Sequence, residues 1–241
     1  MNGSSTRTRL RRLPAFVVAG AATIAGLAVA SPTYAAQAPA NTCPQVEIIG
    51  ARGSLQAPGL GLNLTPLAQQ ITQQLPQTVR ATALAYPATL FNYTGSVRQG
   101  VAEVQRVMTA TAAKCADTRF VLAGYSQGAQ VMGDALVGGG FAGSSPLTAD
   151  LASRISSVLL FGDPTFTAGE SFNVTNRPAS GILPRRAGQL SAFADRIQSY
   201  CNANDQFCQS GTSLAAHLDY RSSLGQATKF VAAQASADFG G

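Results

Sequence analysis

The sequence predicts an α/β fold: a central, mostly parallel sheet of about five strands with helices on both faces. Three observations point there. Short apolar runs such as "VEIIG", "RFVLA" and "SSVLLF" have the length and continuity of strands buried on both faces. Between them lie stretches whose apolar residues recur every three or four positions, the period of a helix face. The two kinds of stretch alternate along the chain, which is the pattern of parallel strands joined by helical crossovers.

Taken in order, "VEIIGARGS" reads as a strand running into a turn. Thr65 then offers a helix N-cap and Pro66 a first helical position, and Leu67, Ile71 and Leu75 form one apolar stripe. "RATALAYP" is the second strand. Val97, Val101, Val104, Met108 and Thr111 step by four and three along a second helix. "RFVLAGY" is a strand and "QGAQVMGDAL" the helix after it. "GGGFAGSSP" is a loop, Leu147 to Arg154 a short helix and "ISSVLLFGDP" a further buried strand. Residues 164–188 are irregular, "DRIQSYC" is the last strand, and "YRSSLGQATKFVAAQASADF" is a closing helix. No segment repeats.

The amino terminus has a separate character. Arg7, Arg9, Arg11 and Arg12 precede an apolar run from Ala15 to Ala30, and small residues follow. A basic region, an apolar region and a small-residue end describe a secretory signal peptide, with cleavage after Ala35 or Ala36. The run is short and rich in Ala and Gly for a membrane anchor. The expected organisation is therefore a leader over 1–35 and one domain over 36–241, with no membrane segment in the mature chain. Four of the 17 basic side chains leave with the leader, so 13 basic and 11 acidic groups remain, a net charge of +2. That balance gives no electrostatic case for a nucleic acid partner. Nothing calls for an oligomer, and the protein is read as a secreted monomer.

Cys43, Cys115, Cys201 and Cys208 make an even count in an exported chain, which implies two disulfides. Three pairings are possible. The simplest is one short loop, Cys201–Cys208, and one long loop, Cys43–Cys115. With one histidine and no C-x-x-C, zinc is not expected.

The chemistry centres on "GYSQG" at 124–128. A serine between two glycines, after a strand and before a helix, is the pattern of a nucleophile elbow. A side chain at Gly124 or Gly128 would crowd the neighbouring strand or helix. The turn lifts the Ser126 hydroxyl clear of the sheet and aims the Gln127 N–H where an oxyanion would form. A serine hydroxyl needs a base, and His217 is the only histidine in the chain. A base must be neutral to take a proton, so activity is expected to fall on acidification through roughly pH 6–7. Hydrolases with this elbow run in the order Ser, acid, His, which leaves Asp134, Asp150, Asp163, Glu170, Asp195 and Asp205 as acids. Asp163 ends a strand, in "FGDP". Asp205 lies inside "CNANDQFC", where a short disulfide loop would hold it rigidly.

The chain resembles the cutinase family, secreted serine esterases with a small α/β-hydrolase fold and no lid domain. The resemblance spans essentially the whole mature chain and is carried by "GYSQG", "CNANDQFC", the place of His217, "ARGS" at 51–54 and all four cysteines. It is strongest with the actinobacterial branch, through "LLFGDPTF" and the leader. It implies Asp205 over Asp163 as the acid, and a second oxyanion donor at Ser54. It implies hydrolysis of short- to medium-chain carboxylic esters, and of polyester or lipid esters, through an acyl-enzyme on Ser126, with no metal or cofactor. Two other readings stand beside it: an acetyl esterase acting on polysaccharide, and a non-catalytic secreted lipid-binding antigen. Ile182 and Leu183, facing Leu214 and Leu218, are expected to form a narrow apolar rim at the site. The competing expectation for Ile182 and Leu183 is burial in the core.

Overall fold

A computed structural model describes residues 1–2, 42–138 and 143–240. The chain divides into two units, Met1–Thr33 and Tyr34–Gly241, and the fold belongs to the second. The expected leader and the segment 36–41 lie outside the described residues, apart from positions 1 and 2, as does part of the loop after Gly138. No helix among the described residues is long and apolar enough to cross a membrane.

The elements are β1 (Val46–Ala51), α1 (Gly61–Gln74), β2 (Val79–Ala83), α2 (Tyr93–Ala112), β3 (Arg119–Tyr125), α3 (Gln127–Val137), α4 (Ala149–Ser153), β4 (Ile155–Phe161), β5 (Ile197–Tyr200), α5 (Leu214–Leu218) and α6 (Leu224–Phe239). The five strands form one parallel sheet in the order β2-β1-β3-β4-β5. Every residue of β1 and β4 is buried, as continuous apolar runs require in a sheet covered on both sides. Alternate residues serve opposite faces. Ile49, Leu122 and Val158 share a core with Val97, Val101 and Val104 of α2 and Ala129 and Met132 of α3. Ile48, Val121 and Leu159 share the other with Leu67 and Ile71 of α1 and Val231 of α6.

Strand order reverses between β1 and β3. In open sheets of this kind a crevice opens there, beyond the carboxyl ends of the strands. The segment "ARGS" leaves β1 and the turn at Ser126 leaves β3, so both flank that crevice.

One boundary departs from the sequence reading. The helix expected to be capped by Thr65 and to begin at Pro66 starts five residues earlier, at Gly61, and Pro66 lies within it. The Thr65 hydroxyl donates back to the Gly61 carbonyl at 2.7 Å instead of capping. Tertiary bonds explain the extra turn. It buries Asn63, whose amide donates to the Leu218 carbonyl (3.2 Å) and accepts from the Tyr220 N–H (3.1 Å). The proline removes only one helical bond, close to the end. Elsewhere, "SLAAHL" is a short helix, α5, and a 3₁₀ turn over Ser191–Arg196 precedes β5.

Both disulfides pair as the simplest scheme has them, Cys43–Cys115 and Cys201–Cys208. The first ties the chain before β1 to the chain before β3, at the amino ends of the strands and away from Ser126. Replacing both of its cysteines by serine is expected to cost about 2–4 kcal/mol of stability. Urea unfolding reads this, with kcat unchanged. A matching loss in kcat would mean that the bridge acts on the site.

Candidate active site

Ser126 joins β3 to α3 with φ 54° and ψ −121°, a conformation that side chains rarely adopt. The two flanking glycines make it possible. A Cβ on Gly128 would lie 1.9 Å from the Ala51 carbonyl oxygen of β1, and one on Gly124 would lie 2.3 Å from the Gly128 oxygen. Neither obstacle is a flexible side chain. The turn is pinned to the sheet by the Ser126 N–H, which donates to the Phe161 carbonyl of β4 at 2.8 Å. Ser126 itself is half-exposed, so its hydroxyl opens onto the crevice.

The His217 ring meets that hydroxyl. Nε2 lies 2.9 Å from Ser126 Oγ, and Nδ1 lies 2.9 and 3.1 Å from the two carboxylate oxygens of Asp205. Two rings pack on the imidazole, and one bond holds its backbone. The Phe207 ring meets it edge-on at 4.5 Å, the Tyr125 ring lies at 5.3 Å, and the Tyr125 hydroxyl donates to the His217 carbonyl at 2.9 Å.

Asp205 is fully buried inside the short disulfide loop. Its Oδ1 accepts from the N–H groups of Phe207 (2.7 Å) and Cys208 (3.0 Å), and Oδ2 accepts from the Tyr220 hydroxyl (2.6 Å). Burial alone pushes this carboxyl up, but the bonds from His217, Tyr220 and the Cys208 N–H outweigh it, and Asp205 titrates below the usual carboxylate range. Burial, reinforced by the Asp205 charge, pushes the Tyr220 phenol far up. It therefore remains a donor to Asp205 at any working pH.

The other acids lie elsewhere. Asp163 accepts from the Thr165 N–H and hydroxyl at 2.8 and 2.5 Å, and Arg185 lies 4.0 Å away. Asp134 pairs with Arg185. Asp150 lies 3.8 Å from Arg154, and Glu170 accepts from the Gly188 N–H. Asp195 is in the 3₁₀ turn before β5. None of these five carboxylates is bonded to His217.

The two residues expected to supply oxyanion donors are Gln127 and Ser54. The Gln127 N–H opens α3 and has no helical acceptor behind it. Ser54 borders the cleft that contains Ser126 and His217. This cleft measures about 540 Å³. Ile182, Leu183, Leu214 and Leu218 all line it; Ile182, Leu214 and Leu218 are 50–56% exposed, and Leu183 is half-buried. Leu55, Leu90, Tyr93 and Pro164 complete an apolar wall.

A model of the cutinase family, described as Cutinase, matches residues 42–235. The chain belongs to the cutinase family. It is a carboxylic ester hydrolase of the cutinase type. Among the relatives of this chain are Cutinase 11 of Verticillium dahliae and acetylxylan esterase 2 of Talaromyces purpureogenus. The first is 34% identical over 78% of this chain and 67% of its own length; the second is 33% identical over 88% and 95%. The catalytic core domain of an acetyl xylan esterase from Trichoderma reesei superposes over 80% of this chain and all of its own, with TM-score 0.75 at 32% identity.

Several side-chain contacts that build this site were not expected from the sequence. Arg52 is buried and donates to the carbonyls of Gln56 (2.9 Å), Leu84 (3.3 Å) and Tyr86 (2.8 Å), while the Tyr86 hydroxyl donates back to the Arg52 carbonyl. That clamp shapes the loop carrying Ser54. The Gln127 amide accepts from the Ser96 hydroxyl at 2.9 Å and donates to the Thr89 carbonyl at 3.0 Å, which fixes the start of α3 from the side. The arginine in "ARGS" and the glutamine in "GYSQG" were the available signals, and their side chains hold the loop and the helix start.

Proposed function

We propose that this chain is an exported serine esterase in which Ser126, His217 and Asp205 act as nucleophile, base and orienting acid. The observation that carries the reading is the continuous chain of contacts from Asp205 through His217 to Ser126, at 2.9 Å in each step. Ser126 Oγ attacks the ester carbonyl while His217 Nε2 takes its proton. The negative carbonyl oxygen is received by the N–H groups of Gln127 and Ser54. The tetrahedral species collapses, the C–O bond to the alcohol breaks, and His217 returns the proton to the leaving oxygen. Water then repeats the cycle on the acyl-enzyme and releases the acid. Asp205 keeps Nδ1 protonated and stabilises the cation that forms at each step. The chemistry calls for no metal or cofactor. Export rests on the basic and apolar leader together with two disulfides, and the domain runs from the end of the leader to the carboxyl terminus.

The cleft favours acyl groups longer than acetyl. Its walls are leucine, isoleucine and tyrosine, and each methylene held against them gains up to ~0.8 kcal/mol. Short to medium acyl esters are therefore the proposed substrates, with lipid or polyester esters as natural sources. The relatives named as acetylxylan esterases support a second reading, an acetyl esterase on polysaccharide. A p-nitrophenyl ester series run beside acetylated xylan decides between them. Activity on xylan with no gain from acetyl to butyryl ester would favour the second. Absence of activity on every ester would reject both.

The half-exposed Ser126 also implies that no cover has to open. The rate on a triglyceride is expected to rise smoothly through its solubility limit. A sharp rise at the emulsion threshold would show a cover that opens at the interface.

A further inference from the structure

The segment carrying Ile182 and Leu183 has little behind it. On one side the two residues line the catalytic cleft. On the other they line a second cleft of about 430 Å³, bordered also by Asp134, Thr165 and Arg185. The strap is thus a wall between two openings, with no apolar core backing it. Its backbone is joined to the rest at each side: the Ile182 N–H donates to the Phe207 carbonyl and the Leu183 N–H to the Pro164 carbonyl, both at 2.9 Å.

At its ends the Gly181 N–H donates to the Phe166 carbonyl (2.9 Å), the Arg185 N–H to the Thr165 carbonyl (3.1 Å), and the Arg185 carbonyl accepts from the Thr167 hydroxyl (2.8 Å). The tie to α3 is a side chain. The Arg185 guanidinium is buried; it donates to the Asp134 carboxylate and to the Gln130 carbonyl (3.1 Å), both on α3, with Asp163 4.0 Å away. A seat is cut for it in the helix. A Cβ on Gly133 would lie 2.4 Å from Nη2 and 2.7 Å from Cζ of Arg185. Glycine inside a helix is costly relative to alanine, and here it admits the guanidinium. The same stretch of α3 holds another part of the cleft. The Tyr93 hydroxyl, on a residue that lines the cleft, donates to Gln130 Oε1 at 2.8 Å, and Gln130 Nε2 lies 3.5 Å from Asp134.

We infer that the seat of Arg185 on Gly133 determines chain-length preference. Arg185 is a positioning residue. By tying the strap to the helix that also holds Tyr93, it sets the gap between Ile182–Leu183 and Tyr93, and hence how firmly the cleft grips a chain longer than acetyl. The inference rests on the ester-hydrolase reading above. A loose strap would still leave Ser126, His217 and Asp205 in place, because none of their side chains bonds to the Arg185 network, and the Ser126 carbonyl meets it only through the helical Gln130 N–H at 3.2 Å.

The test uses p-nitrophenyl acetate and octanoate with four variants: Gly133→Ala, Arg185→Lys, the pair Ile182→Ala/Leu183→Ala, and that pair combined with Gly133→Ala. In Gly133→Ala the ratio of octanoate to acetate kcat/KM is expected to fall on the order of tenfold, the worth of about two gripped methylenes, with the loss in KM and not kcat. Arg185→Lys keeps the charge but not the fork, so it should move the same way, and it carries the test if Gly133→Ala does not fold. The strap pair should show the same loss on octanoate. Adding Gly133→Ala to it should change the ratio little, because both act on one contact. If acetate and octanoate fall together in Gly133→Ala and Arg185→Lys, the network is only structural and the inference is wrong. It is equally wrong if the strap pair leaves octanoate unchanged. Full activity of Ser126→Ala on both esters would instead sink the hydrolase reading itself.

Discussion

Ser126→Ala is expected to lower kcat on ester substrates by on the order of 10⁴-fold or more, and His217→Ala by a similar factor. The double variant should lose little beyond either single one, because nucleophile and base act as a unit. The effect should be confined to chemistry. The Ser126 hydroxyl makes one hydrogen bond, to His217, and alanine keeps the Cβ that the elbow already accommodates. The melting temperature of Ser126→Ala should therefore stay close to the parent's. His217 is more embedded, with two aromatic rings against it, so His217→Gln is the better control for packing. The check is single-turnover kinetics on a p-nitrophenyl ester beside thermal unfolding. A Ser126→Ala protein with a tenth of parental kcat would exclude Ser126 as the nucleophile.

Asp205→Asn comes next in size, at about 10⁴-fold in kcat. The amide that replaces the carboxylate no longer holds the proton on Nδ1, and the imidazole loses the partner that stabilises its cation. Asp163→Asn should leave kcat nearly unchanged and lower stability by about 1–3 kcal/mol, since its partners Thr165 and Arg185 are buried with it. The contrast separates two acids that both follow strands. A crippled Asp163→Asn with an active Asp205→Asn would reverse the assignment. Asp205 also carries a pH signature. Its folded pKa lies below its unfolded value. It therefore contributes stability that is fully present above the ordinary carboxylate range, near ~3.9, and is lost as pH falls through the folded value. Tyr220→Phe removes one of the bonds that hold the carboxylate down, so its folded pKa rises. Acid unfolding of Tyr220→Phe should begin at higher pH than in the parent. An unchanged acid midpoint would mean that Tyr220 does not stabilise the charge.

The alternation of strands and helices was legible because burial acts locally. A strand covered on both faces needs an unbroken apolar run, as "RFVLA" has, and a helix on a sheet needs one stripe, as Val97, Val101, Val104 and Met108 have. The elbow was legible for a steric reason. Only glycine fits at 124 and 128, so the constraint is printed in the residue type. His217 was legible by scarcity. The acid was not: "FGDP" and "CNANDQFC" both place an aspartate after a strand, and only the family resemblance chose between them. The folded chain separates them by partners, Thr165 and Arg185 for one and His217 and Tyr220 for the other. The start of α1 was decided in the same way, by Asn63 reaching residues 155 and 157 positions away at Leu218 and Tyr220. Arg52, Gln127 and the strap at Ile182 depend likewise on partners remote in sequence. Periodicity records which face of an element is buried. It holds no record of which loops meet beyond the carboxyl ends of the strands, and hydrogen bonds there are chosen by distances that exist only once the sheet has assembled.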